Sequence, residues 1–393
     1  MEGNALTAGV HRGNVRDWAP MSLMLPAAPA HARSITGVAS DVLESLGSEG
    51  RFGSARSGVL CVVDGLGALQ LRAHTGHARR LGSLMRRRDV ARSVFPSTTA
   101  AALTSLLTGS DPGQHGLVGY KVLDPGSDML VNQLSGWERE GVDPRTWQRS
   151  ETVFERAASE GRPSFAVGPG EYADSGFTRA ILRGSEYVAV DNISNRVSVA
   201  VRLAAQHEGA LVYCYLPEVD KAGHKFGVAS PQWRAALEDV DGAFMVPIPD
   251  DIGLVMTADH GMIDVPRFRH VLLGEDDPRW DGVAHVGGEP RMLHVYTESG
   301  ADRSRVHARW AADAQNTADV ITRDEAIALG LFGEVHPEVA PRIGDLLVVS
   351  RGIWAYYDDR GTDTRPQKMV GQHGGITPEE TIVPLIRAGA FAV

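Results

Sequence analysis

Four apolar runs recur along the chain, at 58–63, 164–168, 210–216 and 252–258, and stretches of helical spacing lie between them at 99–107, 151–160, 192–207 and 230–245. Alternation of this kind predicts an α/β protein built on a parallel sheet. In such a sheet the carboxyl edge of the strands is where ligands bind, so one edge can gather residues that lie far apart in sequence. Three of the runs lead into acidic residues. Asp64 ends Gly58-Val59-Leu60-Cys61-Val62-Val63, and Asp220 and His224 share Asp-Lys-Ala-Gly-His after the run at 210–216. Asp259-His260 close the run at 252–258, and His373 stands later in Gly371-Gln372-His373-Gly374-Gly375.

At 393 residues the chain exceeds the usual single-domain size, which predicts two or so domains or one large α/β domain with an insertion. A net charge of −10 argues against a groove that tracks nucleic-acid phosphates. It leaves a small anionic substrate open, because bound dications dominate the local field of a metal site. Cys61 and Cys214 sit inside apolar runs and read as buried thiols rather than a disulfide. Met21 to Ala30 is broken by prolines and the chain has no run of about 20 apolar residues, so the expectation is no signal peptide, no membrane partner and a cytoplasmic location.

Residues 1–33 read as an N-terminal arm, and 34–288 with 345–393 as the catalytic α/β domain. Between them, 289–344 reads as a small α/β cap: a strand at Met292–Tyr296, a helix at 302–315, a short strand at 319–321 and a helix at 323–329. The run Asp345–Val349 is then expected to return to the main sheet.

Each candidate site residue has a bland alternative. Asp64 before Gly65 suits a turn or a helix cap. Thr99, in Phe95-Pro96-Ser97-Thr98-Thr99 before an alanine-leucine stretch closed by Gly109, suits a plain N-cap, with Thr98 as its competitor. The same position offers free amides and a helix dipole to a phosphate, and a hydroxyl that can attack phosphorus. Asp220 with His224, or Asp259 with His260, taken alone reads as a capped turn with a surface histidine. Taken together, the mixture of carboxylates and imidazoles suits Zn²⁺ or Mn²⁺ over Ca²⁺ or Mg²⁺. His74, His77 and His207 read as surface residues, and His285 and His294 as structural.

The ordered series resembles the alkaline phosphatase superfamily, and within it the type I phosphodiesterase and nucleotide pyrophosphatase branch, from about Val59 to Ile386. The resemblance implies a mostly parallel sheet flanked by helices and two divalent ions. It assigns Asp64, Thr99, Asp259 and His260 to one ion and Asp220, His224 and His373 to the other, with Thr99 as the nucleophile. Asp111-Pro112-Gly113-Gln114-His115-Gly116 matches a further segment of the family. One position departs from it: many relatives carry a phosphate-binding Asn where this chain has Ala102. Tyr120, Asn132 or a backbone amide is expected to make that contact, or the metals alone hold the phosphate. Tyr120, Trp137, Tyr172, Phe177 and Trp354 are candidates to stack a base, with core packing as the alternative.

What the resemblance implies is hydrolysis of a nucleotide phosphodiester through a phosphothreonine at Thr99. Segments at 118–120 and 131–134 are similar to those of soluble actinobacterial members, some of which cleave cyclic di-AMP. A diester is favoured because no Arg or Lys lies between Phe95 and Gly109 to receive the extra charge of a monoester, although a distant Arg183 could fold into the site. The alternatives are a phosphonoacetate hydrolase or phosphomonoesterase, and, outside enzymes, a metal-binding regulatory module. Sulfatase chemistry is disfavoured by the nucleophile motif. Sequence does not specify the oligomeric state.

Overall fold

The computed structural model describes residues 31–137, 139 and 141–392, so the N-terminal arm falls almost wholly outside the described residues. Its centre is an eight-stranded sheet. From edge to edge the order is Arg33–Ser34, Val90–Arg92, Ile382–Gly389, Ile252–Thr257, Ser57–Val63, Leu211–Leu216, Ser164–Gly168 and Glu186–Ala189. Ile382–Gly389 runs antiparallel to both of its neighbours, and every other adjacent pair is parallel. Ser57–Val63 and Ile252–Thr257 are buried along their whole length, which explains why they read as continuous apolar runs without alternation. Helices Val38–Glu44 and Ile193–Gln206 pack against Ser57–Val63. Cys61 lies opposite Cys214 in register, and both are buried free thiols.

A second, antiparallel sheet is ordered Val283–Glu289, Met292–Thr297, Leu346–Ser350 and Ala318–Thr322. With helix Arg303–Ala314 it encloses its own core around Val295, Val306, Trp310 and Val348. The expected return of 345–349 to the main sheet is therefore corrected. Leu346–Ser350 is buried on both faces and is an inner strand of the second sheet, while the place beside Ile252–Thr257 belongs to Ile382–Gly389. The second sheet also opens at Val283, ahead of the expected cap boundary.

Hairpin Lys121–Asp124 and Met129–Asn132 bridges the two layers, with the Leu123 amide donating to the Tyr296 hydroxyl at 3.0 Å. Among the described residues no helix is long and apolar enough to cross a membrane.

Candidate active site

Three neighbouring parallel strands carry the acids to one edge. Val63 pairs with Leu216 and Val62 with Thr257, so Asp64 leaves the central strand between the segments that bear Asp220 and Asp259. Gly65 follows at φ +70°, and a Cβ there would stand 2.9 Å from Asp220 Cβ. Glycine at this point is what lets the two carboxylates approach. Asp220 and His224 lie one turn apart on helix Glu218–Phe226, with 3.4 Å between Oδ1 and Nε2. His373 follows Gly371–Gln372, a short strand antiparallel to Ile263–Asp264, and Gly374 bridges to Ser97 in the loop before Thr99.

The histidines are held in one tautomer. Nδ1 of His224 lies 2.8 Å from Gly371 O, that of His260 3.0 Å from Gly261 O, and that of His373 3.0 Å from Ser97 O. A carbonyl only accepts, so each Nδ1 donates and each Nε2 keeps its lone pair, the arrangement that orients an imidazole toward a metal. Asp64 Oδ1, Asp220 Oδ1 and Asp259 Oδ2 are buried without a hydrogen-bond partner among the described residues. Such oxygens are costly unless a cation meets them. Burial, with Asp259 and Asp220 nearby, pushes Asp64 well above the usual carboxylate range, and burial beside Asp220 brings Asp259 up to about 7. His373, buried beside His260 and His224, is kept neutral, and its ring stacks on His260 at 3.7 Å.

Two groups emerge whose donor atoms lie within 4.8 Å of one another: Asp220, His224 and His373, and Asp64, Asp220 and His260. Asp259 borders the second, its Oδ2 3.4 Å from His260 Nε2. The residues thus fit a pair of divalent cations, and Asp220 stands between the two groups, whereas the resemblance places it in only one. Thr99 begins helix Thr99–Thr108, and its hydroxyl donates to His260 Nε2 at 3.1 Å. Thr98 is the N-cap but its side chain does not cap the helix, which leaves the first amides open; it bonds to Glu289 instead. The two threonines are therefore separated by direction.

The site opens into a cavity of about 1070 Å³, walled by Tyr120, Trp137, Tyr172, Phe177 and Tyr187, with Asn132 beside them. Asn132 Oδ1 is already engaged by the Leu134 and Ser135 amides, at 2.9 and 3.2 Å. Trp354 lies elsewhere, under Arg269. Arg183 pairs with Glu155 and does not line the cavity, and Ala102 is fully buried away from it. His74, His77, His207 and His285 also stay out of the cavity, while His294 is buried with Nε2 donating to Val118 O and Nδ1 accepting from the Gly344 amide.

Sequence reasoning missed two residues here. Tyr215 donates its hydroxyl to Asp64 Oδ2; a tyrosine near the end of a buried aliphatic strand was the available signal. Glu289 reaches the cavity from the second sheet, and nothing local in Gly-Gly-Glu-Pro marks it.

The model of the type I phosphodiesterase / nucleotide pyrophosphatase family matches residues 59–376. An uncharacterized pyrophosphatase/phosphodiesterase of Schizosaccharomyces pombe is 26% identical over 191 residues, 46% of this chain and 39% of that protein. Human ectonucleotide pyrophosphatase/phosphodiesterase family member 1 is 26% identical over 184 residues, 44% of this chain and 19% of that protein. The chain thus spans less than two fifths of the length of these curated relatives. Among solved structures, inactive murine ectonucleotide pyrophosphatase/phosphodiesterase 5 in complex with AMP shares the fold at TM-score 0.65 and 18% identity, over 85% of this chain and 88% of that one. Phosphonoacetate hydrolase of Sinorhizobium meliloti with phosphonoacetate does so at 0.64 and 19%, over 85% and 90%. On the family match across most of its length, the chain belongs to the type I phosphodiesterase / nucleotide pyrophosphatase family.

Proposed function

We propose that this chain hydrolyses a nucleotide phosphodiester, with cyclic di-AMP a candidate, through a phosphothreonine at Thr99. The observation that carries the reading is the Thr99 hydroxyl at a helix N-terminus without a side-chain cap, beside three buried carboxylate oxygens that have no partner among the described residues. Zn²⁺ or Mn²⁺ held by Asp64, Asp220, His224, Asp259, His260 and His373 would supply positive charge to the phosphate and leaving oxygens. Thr99 Oγ1 forms the bond to phosphorus as the P–O bond to the leaving group breaks, the hydroxyl proton ending on the departing alcohol; water then cleaves the phosphothreonine, returning a proton to Thr99 and releasing the phosphate product. The amides at the start of helix Thr99–Thr108, which lack a side-chain cap, would receive the phosphate oxygens.

The aromatic walls suit a nucleoside, and the volume is ample for a nucleotide substrate. Binding of AMP by a structural neighbour accords with a nucleoside-bearing substrate. The fold likeness to phosphonoacetate hydrolase keeps a phosphonate or monoester substrate as the second reading. On the cavity wall Lys221 is paired with Glu171 at 2.6 Å and Arg365 with Asp363 at 2.8 Å, while Lys121 and Arg139 also line it, so the substrate comparison decides between the two readings.

The test compares kcat/KM for bis-p-nitrophenyl phosphate, p-nitrophenyl phosphate, phosphonoacetate and cyclic di-AMP with Mn²⁺. A diester should be preferred, chelator should abolish turnover, and Thr99→Ala should lower it about a thousandfold or more. Preference for the monoester or the phosphonate would overturn the reading, and turnover surviving exhaustive chelation would overturn the metal site.

A further inference from the structure

Arg196 is only 1% exposed, on the helix Ile193–Gln206 that packs against strands Ser57–Val63 and Leu211–Leu216. A charge that deep is costly unless its donors are met. Here main-chain carbonyls and one carboxylate meet them. Nε donates to Val190 O at 2.9 Å and Nη2 to Asp191 O at 2.8 Å, which fastens the guanidinium to the chain just ahead of its own helix. Nη1 serves the turn that leaves strand Leu211–Leu216: it lies 3.2 Å from Tyr215 O, and 2.9 and 3.1 Å from the two carboxylate oxygens of Glu218. That turn joins the supports of both groups of candidate ligands. Tyr215 is the residue whose hydroxyl donates to Asp64, and Glu218 is the first residue of the helix that carries Asp220 and His224. Pro217, the N-cap of that helix, offers it no side-chain cap, so the grip on Glu218 is what holds the first turn.

We infer that Arg196 is a positioning residue for the metal site. Through Glu218 it sets helix Glu218–Phe226, and with it Asp220 and His224; through Tyr215 O it sets the tyrosine that orients Asp64. The inference rests on the reading of these residues as cation ligands and is independent of which phosphate ester is cleaved. A guanidinium suits the task because its planar fork serves the turn from one nitrogen while the other two stay fastened to Val190 and Asp191. Lysine, a single ammonium on a flexible stem, keeps the charge but not both attachments. Neither Arg196 nor Glu218 lines the reaction cavity, so an effect of either on the cations passes through the ligands they hold.

The experiment titrates Co²⁺ into the metal-free full chain. The visible absorption bands read the ligand geometry, and far-ultraviolet circular dichroism reads the fold. Arg196→Lys should raise the Co²⁺ Kd about tenfold or more and shift the visible bands, in protein whose circular dichroism matches wild type. Glu218→Ala removes the carboxylate while Arg196 keeps its three carbonyl partners, and it should raise the Kd about three- to tenfold. This second variant keeps the test open if the lysine variant misfolds. Adding Glu218→Ala to Arg196→Lys should weaken Co²⁺ no further, because both changes break one contact. A wild-type Kd and wild-type bands in either folded variant would overturn the inference, even with a lowered melting temperature, since that is what a purely structural role gives. Additive losses in the double variant would overturn it too, because the two residues would then reach the cations by separate routes. A wild-type chain that binds no Co²⁺ overturns the cation reading and the inference with it, whereas wild-type binding with unresponsive variants overturns the inference alone. The expected Co²⁺ response in a protein that cleaves no diester overturns the phosphodiester reading alone.

Discussion

At the scale of the residue, the carboxylates of this site are aimed by neighbours that are not ligands themselves. Asp64 divides its two oxygens: Oδ2 accepts from the Tyr215 hydroxyl, and Oδ1 is left without a partner, turned to the same space as His260 Nε2 3.5 Å away. Tyr215 is held in turn by rings on both sides, stacked with Tyr213 at 6.2 Å and edge-on to Tyr172 at 6.0 Å. Tyr215→Phe would keep that packing and free Oδ2 to rotate. Metal affinity should fall about ten- to a hundredfold, the usual effect of removing a group that orients a ligand. Fold stability should change by only about 1 kcal/mol. Metal titration followed optically, alongside the melting temperature, separates the two effects. Equal metal affinity in wild type and variant would show that Asp64 needs no such support.

At the scale of the element, the site is assembled by strand ends and one loop, and the loop has a buried anchor. Glu380 accepts from the Gly375 amide at 2.8 Å and from Arg291 at 2.7 and 2.9 Å, and both charged side chains are fully buried. Arg291 belongs to the turn between the first two strands of the second sheet, so this ion pair ties that sheet to the loop carrying His373. Breaking a buried pair strands one charge, and Arg291→Met should cost about 3–5 kcal/mol in a denaturant titration. A midpoint unmoved by the substitution would mean that Glu380 finds another partner or a proton. The physics of these elements also decides what sequence could reveal. Runs such as Ser57–Val63 and Leu211–Leu216 are buried on both faces, so their apolar continuity exposes the strands and, with them, the edge where Asp64, Asp220 and Asp259 gather. Ile382–Gly389 escaped because Pro384 reads as a strand breaker; it lies where the strand pairs only with the short Val90–Arg92. Val283–Glu289 escaped because His285, Gly287 and Gly288 dilute its apolar signal. Sheet membership of Leu346–Ser350 was misread because an apolar run states that a strand is buried without stating which strands cover it. Glu289 was out of reach for the same reason, its partners Thr98 and Tyr120 being set by tertiary packing.

At the scale of the whole molecule, the segment after helix Thr99–Thr108 is anchored by buried histidines that the native state keeps uncharged. His294, on the second sheet, donates from Nε2 to Val118 O at 3.0 Å, and His115 accepts the Leu117 amide at Nδ1 and bonds Ser105 through Nε2. Burial, with Arg323 adding to it, lowers His294 to about 4; burial, with Arg342 adding to it, lowers His115 to about 3. Unfolded, each takes up a proton near 6.5, so below that pH the unfolded chain binds more protons than the native one and stability falls as the pH falls. Above about 6.5 the contribution is complete; it is lost progressively down to about 4 for His294 and about 3 for His115. The slope is about 1.4 kcal/mol per pH unit for each histidine. His294→Gln can keep both hydrogen bonds, because an amide offers one donor and one acceptor, and it removes the titration. Its melting temperature should therefore decline less steeply than that of wild type between pH 6.5 and 4, whatever the offset at neutral pH. Comparing the two proteins cancels the titration of the metal-site carboxylates, which both share. Parallel curves across that window would show that His294 is protonated in the folded protein, and that its buried site tolerates a charge.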